Sequence, residues 1–355
     1  MWELLNFYIF NFKGDNMNNN RYIYTLILSA FFMLLLVHPL LFLANLDLQM
    51  GKEEYIAKWI SYKKQLLTNV DGNKMVIISG SNTLFGINGK QMEDRLGIPV
   101  INLGLHAGLG EYILHVFKDN LKSGDIVILP LEYDYYNLND ISGEGMRYII
   151  RFDNNYIRHY PISSQIKFIY GCSTYELLQG AKLRIFPKHT DISNYSYRAE
   201  NFNENGDTTG NTVEKSNILE PSTKQEVLRN DNIPNDISRQ ELHNFVVWCN
   251  ANNIKIYAAW PSFLIKEQSF NEDDIKKIDD IIKFWQQENV IILGNYKDTL
   301  YKNDYFFDTT YHLNEFGREI RTTYLLEQIE QCDSIFTEIN NIKNVNSNKN
   351  GHQPI

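Results

Sequence analysis

Three side chains of complementary chemistry stand far apart in this chain. Ser81 lies in SGSNTLFGI, and Asp308 and His312 lie in FFDTTYHLNEFG. A serine becomes a nucleophile at neutral pH only with a base in hydrogen-bond reach, and the base needs a partner that fixes its tautomer. Asp308 and His312 are close enough for one loop to present both, and Gly80 before Ser81 permits a sharp turn. Gly104, in NLGLHAG, is placed to lend an unobstructed N–H to a developing oxyanion. Together these make a coherent acyl-transfer site. Ser79 and Asn82 leave the register of the nucleophile open, and His106 on the same rim is a competing base with no acid beside it. Glu132 and Tyr133, in LEYDYY, are candidates to support the site or contact substrate. Asp304, Asp308 and His312 recur at a spacing that could gather a metal, but Phe306, Phe307 and Tyr311 read as packing. No metal and no cofactor is expected. Gly-x-Ser-x-Gly, dinucleotide and P-loop glycine patterns are absent from the sequence.

Something must carry these residues to one rim. Five short apolar runs, at 75–79, 99–103, 125–131, 254–260 and 290–294, read as buried strands. Amphipathic stretches at 53–69, 110–121, 238–252 and 272–288 read as helices. Near-continuous apolar strands joined by helices predict an α/β fold with a parallel sheet covered on both faces. Sites in such sheets gather where strand carboxyl ends open into loops, and Ser81, Gly104 and Glu132 each follow a strand. The rhythm breaks at 135–236, an aromatic then polar stretch read as an insertion. Residues 333–355 are polar and read as a disordered tail.

The chain has 355 residues, 43% of them apolar, enough for a large core, and a net charge of −9 that argues against gripping nucleic acid. Three cysteines, Cys172, Cys249 and Cys332, allow one disulfide at most and exclude a disulfide-dense scaffold, and no CxxC pair suggests a structural zinc. Residues 22–44 hold no charge and exceed the roughly 20 apolar residues a spanning helix needs. The run is longer than the core of a cleaved leader, and no small-x-small site follows it. An uncleaved anchor over 22–45 is expected, with Pro39 kinking it or marking its outer end. Lys13 and Arg21 precede it, so residues 1–21 are expected in the cytoplasm and the body, 53–332, outside. Met17 is an alternative start, which would make residues 2–12 an over-extension; otherwise they form an interfacial segment.

SGSNTLFGI, NLGLHAG and FFDTTYHLNEFG together resemble the SGNH (GDSL-type) hydrolase superfamily over about residues 73–330, the insertion unmatched. The nearest likeness is to its membrane-anchored envelope branch, DltD-like and associated with polysaccharide O-acyltransferases. The resemblance implies a flavodoxin-like three-layer α/β/α sandwich with strand order 2-1-3-4-5. It also implies Ser81 as nucleophile, His312 as base, Asp308 as its partner, and the amides of Ser81 and Gly104 as the oxyanion hole. Three departures stand out: SGS replaces GDS, Asp308 precedes His312 by four residues rather than three, and Glu132-Tyr133-Asp134 stands where a Gly-x-Asn-Asp block with an oxyanion-binding Asn is expected. An ionised carboxylate cannot donate a hydrogen bond. The expected activity is esterase or O-acyltransferase on an acylated glycan or other envelope polymer, beside a multi-spanning membrane acyltransferase as partner. The alternative is a non-catalytic glycan-binding or scaffold module of an envelope-assembly complex.

Overall fold

A computed structural model describes residues 19–136, 141–189, 197–216, 236–264, 270 and 272–350. Residues 1–18, with Met17, lie outside this set, as do 217–235 of the insertion and the final residues 351–355. The chain divides into two compact units, one made of Met1–Met50 with Ile149–Lys188, the other of Gly51–Tyr148 with His189–Ile355.

The larger unit runs α1 (Glu54–Asn69), β1 (Met75–Ile77), α2 (Ser81–Gly86), α3 (Gly89–Leu96), β2 (Val100–Asn102) and β3 (Ile126–Leu129). It resumes after the insertion with α4 (Asp236–Ala251), β4 (Lys255–Ala259), β5 (Phe263–Leu264), α5 (Glu272–Gln287), β6 (Ile291–Leu293), β7 (Leu300–Tyr301), α6 (Glu315–Glu330) and α7 (Asp333–Asn350). Five strands form one parallel sheet in the order β2-β1-β3-β4-β6, and β5 pairs with β7 apart from it. The central strands are apolar because they are buried throughout: MVI in β1 and IVIL in β3 expose nothing.

Two sequence expectations need correction. The stretch 110–121 is not one helix but a single turn, Tyr112–His115, followed by a 3-10 turn, Lys118–Asn120. The segment from 333 is not a frayed tail. It forms α7, whose Ile335, Ile339 and Ile342 are buried in the main core with Leu326 and Ile329 of α6 and Met75 and Val100 of the sheet. Polar composition hid a narrow apolar stripe; each such isoleucine contributes roughly 1.5–3 kcal/mol of burial, enough to hold a helix that is polar elsewhere.

In the smaller unit, the helical run Asn19–Phe32 passes through a π-helical turn, Met33–Val37, into His38–Leu43. Arg21–Leu43 is long and apolar enough to cross a membrane, with mean hydropathy 2.5 over its best window. Pro39 does not end it. The π turn lies directly ahead of the proline, which removes an N–H and crowds the carbonyl four residues back, so the widened turn relieves that crowding. The helices Ile162–Tyr170 and Thr174–Ile185 belong to this unit, the second opened by a Ser173–Glu176 capping box. The insertion is therefore shared: 149–188 belongs here, and 197–216 belongs with the sheet.

Candidate active site

Ser81 is the first residue of α2, four positions after β1 ends. Its Oγ lies 2.7 Å from His312 Nε2. On the ring's other side, His312 Nδ1 lies 2.7 Å from Asp308 Oδ1. Because a carboxylate only accepts, Nδ1 carries the proton, and Nε2 is left free to accept from the Ser81 hydroxyl. The sequence-derived trio is thus one continuous hydrogen-bonded chain. Ser81 is half-buried and His312 buried, so the imidazole is shielded while the serine keeps part of its surface exposed.

The turn that carries His312 closes on itself. Phe307 N–H donates to His312 O at 2.8 Å, Phe306 bridges Leu313, and Thr309 Oγ1 accepts from the N–H groups of Tyr311 and His312. This closure makes the four-residue interval workable. The His312 ring stacks on Phe85, centroids 4.3 Å apart and planes within 10°.

The turn that carries Ser81 is held by charge. Glu132, buried three residues beyond β3, accepts from Gly80 N–H at 3.1 Å, Asn82 N–H at 3.0 Å and Ser79 Oγ at 2.8 Å. Arg321, buried on α6, donates to Asn82 O and Asn82 Oδ1, both at 2.7 Å. Burial pulls the guanidinium down to about 10, still charged at neutral pH. Asn82 also donates to Ser79 Oγ and Pro130 O, so Ser79 and Asn82 are both occupied as braces, while Ser81 is the one hydrogen-bonded to His312. Gly80 is needed for close approach rather than for a special backbone angle: φ is −77°, and a Cβ would lie 2.4 Å from Glu132 Oε1.

Gly104 departs from its expected role. Its N–H donates to Asn102 Oδ1 at 2.9 Å, and a Cβ there would sit 2.3 Å from Leu84 N, so the glycine lets the strand end approach α2. Tyr133 is fully buried among Trp260, Phe263 and Phe270, its hydroxyl unbonded among the described residues, and it packs as core. His106 does have an acid near it: Nε2 lies 3.5 Å from Glu144. Its Nδ1 accepts from Gly108 N–H at 3.0 Å, and burial lowers its pKa. No cluster of metal-ligating side chains occurs among the described residues.

Two contributors escaped the sequence reading. Arg321 carried a faint signal, a charge on the otherwise apolar stripe Gly317–Arg321–Leu325 of α6. Tyr197 carried none. It comes from the insertion, donates its hydroxyl to Asp308 Oδ2 at 2.5 Å, and lies 3.2 Å from His312 Nδ1. Burial, and then the Asp308 charge, push its pKa well up, so it stays a donor. Its backbone O takes the Trp59 indole N–H at 2.9 Å. Further along, Lys63 ties the insertion down, donating to Gly206 O at 2.8 Å and Asn102 O at 2.6 Å. Asp207 accepts from Gly89 N–H and Asn102 Nδ2.

No protein-family model matches this chain, and no curated protein matches it in sequence.

Proposed function

We propose that this chain is a membrane-anchored serine esterase or O-acyltransferase of the SGNH kind, acting on acyl groups of a cell-envelope glycan or polymer. The carrying observation is the unbroken chain Ser81–His312–Asp308, with both links at 2.7 Å. Ser81 Oγ attacks an ester carbonyl while His312 Nε2 takes its proton. Asp308, steadied by Tyr197, holds the imidazole through Nδ1 and stabilises the imidazolium. The Ser81 N–H, in the first turn of α2, is among the amides a helix start leaves without an intrahelical partner, and it serves the oxyanion. His312 then protonates the departing alcohol. Attack on the acyl-serine by water completes hydrolysis; attack by a sugar hydroxyl completes transfer.

A flavodoxin-like three-layer sandwich belongs to this proposal, supported by the parallel order β2-β1-β3-β4-β6. So do a single-pass anchor at Arg21–Leu43, with the larger unit on the outer face of the plasma or inner membrane, and a multi-spanning membrane acyltransferase as partner. The test is p-nitrophenyl acetate turnover by the detergent-solubilised chain. Turnover by the wild type that vanishes in Ser81→Ala supports the reading; equal turnover in both defeats it. One observation favours the second reading, a non-catalytic envelope scaffold or glycan-binding module. The Gly104 N–H is already engaged and Glu132 is an acceptor, so the oxyanion hole lacks two expected donors. That reading predicts no turnover in the wild type.

A further inference from the structure

The smaller unit carries a surface that the acyl chemistry does not use. On the helix Ile162–Tyr170, Ile162 and Ile166 are one turn apart and exposed; on Thr174–Ile185, Tyr175, Leu178 and Ile185 share one face and Phe186 follows. These six are 51 to 81% exposed, whereas Phe168 and Leu177 are buried. Soluble surfaces rarely leave so many large apolar groups bare together.

The place of these helices within the unit names the occupant. His38 Nε2 donates to Ile169 O at 2.6 Å, its Nδ1 accepts from Thr174 Oγ1 at 3.0 Å, and its ring stacks on Tyr170. Asn45 Nδ2 donates to Leu177 O at 2.8 Å, and Arg184 donates to Ala44 O and Leu46 O. The pair is therefore fastened along 38–46, the end of the apolar helix and the turn that follows it, where Leu40 and Leu43 also face outward. His38 stands five residues before Leu43, about 8 Å along a helix axis, which matches the depth of an in-plane amphipathic helix. Charge agrees. Residues 149–188 hold six Lys or Arg against two Asp or Glu, in a chain of net charge −9. Exposed Lys167, Lys182 and Lys188 can rest their stems on lipid and keep their ammonium groups at headgroup level.

We propose that the helices Ile162–Tyr170 and Thr174–Ile185 lie in the interface of an anionic bilayer, apolar side chains among the acyl chains, as a collar around the exit of the spanning helix. The collar depends on that helix and not on the catalytic reading, so loss of Ser81 reactivity leaves it standing.

The test places a nitrobenzoxadiazole probe on Ile166→Cys, Leu178→Cys and Ile185→Cys of the full chain in nanodiscs of phosphatidylcholine and phosphatidylglycerol. Leu28→Cys reports the span, Lys276→Cys reports exposed surface, and the unsubstituted chain corrects for its own cysteines. The collar predicts blue-shifted emission at 166, 178 and 185, quenched at least twofold more by shallow than by deep doxyl lipids. Emission like that of Lys276→Cys at these sites, with Leu28→Cys reporting lipid, overturns the collar while keeping the span. A water-like signal at Leu28→Cys overturns both. Shielding that grows with protein-to-lipid ratio, without lipid quenching, marks an interface between copies and also overturns it.

Discussion

The turn at 79–82 takes its shape from charged side chains that arrive from distant elements, whereas the turn at 307–313 closes largely through its own backbone. Glu132 gathers the N–H groups of the first and Arg321 its carbonyl oxygens. In the second, Phe307–His312 and Phe306–Leu313 pairing sets the loop, and Phe85 and Tyr197 then fix the ring and the carboxylate. The difference teaches where geometry is vulnerable. The serine depends on buried charges being satisfied, so damage there should register in stability. The histidine depends on local closure, so damage to its supports should register in rate.

The largest effect separates chemistry from scaffold. Ser81→Ala and His312→Ala should each lower ester turnover by about 10⁴-fold or more while leaving urea unfolding within about 0.5 kcal/mol for the serine variant. Glu132→Gln comes next and reverses that signature. It leaves a turn N–H facing an amide donor and Arg321 without its nearby countercharge, so unfolding in urea should come about 3 kcal/mol earlier, with activity lost alongside. A Glu132→Gln chain as stable as the wild type would erase the contrast between the turns. Tyr197→Phe sharpens the other side. Removing one hydrogen bond to an ionised carboxylate should lower kcat roughly 10- to 100-fold with KM and stability little changed.

The smallest effect concerns the segment that delivers Tyr197. Burial holds the Lys63 ammonium down to about 7, against an ordinary value near 10.5. Between about pH 7 and 9 the unfolded chain binds more protons there than the folded one, so this group makes stability rise with pH. The contribution approaches about 1.4 kcal/mol per pH unit at most, and Lys63→Met should flatten the urea-midpoint profile over that window. An unchanged slope would mean the lysine is not the titrating group.

Residue type and position made the trio legible. A serine after an apolar strand, with an aspartate and a histidine in one short loop, is a pattern that chemistry itself demands. The five strands of the sheet were legible for the same reason, as short, mainly apolar runs. What stayed hidden acts through tertiary approach. Glu132 follows its strand as expected, but only the fold shows that it braces the turn that carries Ser81. Gly104 looked like an oxyanion donor until Asn102, two residues away, claimed its N–H. Tyr197 sits in a polar segment with no periodicity, and α7 looked like a loose tail because only three isoleucines carry its apolar attachment, the rest being polar contacts such as Asn346 with Asn73 and Ser334 with Tyr257.

The most direct measurement is site mapping by mass spectrometry after treating the full chain with a fluorophosphonate. The account predicts a single adduct on the peptide bearing Ser81 in the wild type, strongly reduced in His312→Ala. An adduct on Ser79, or none on a chain whose fold is intact, would contradict it.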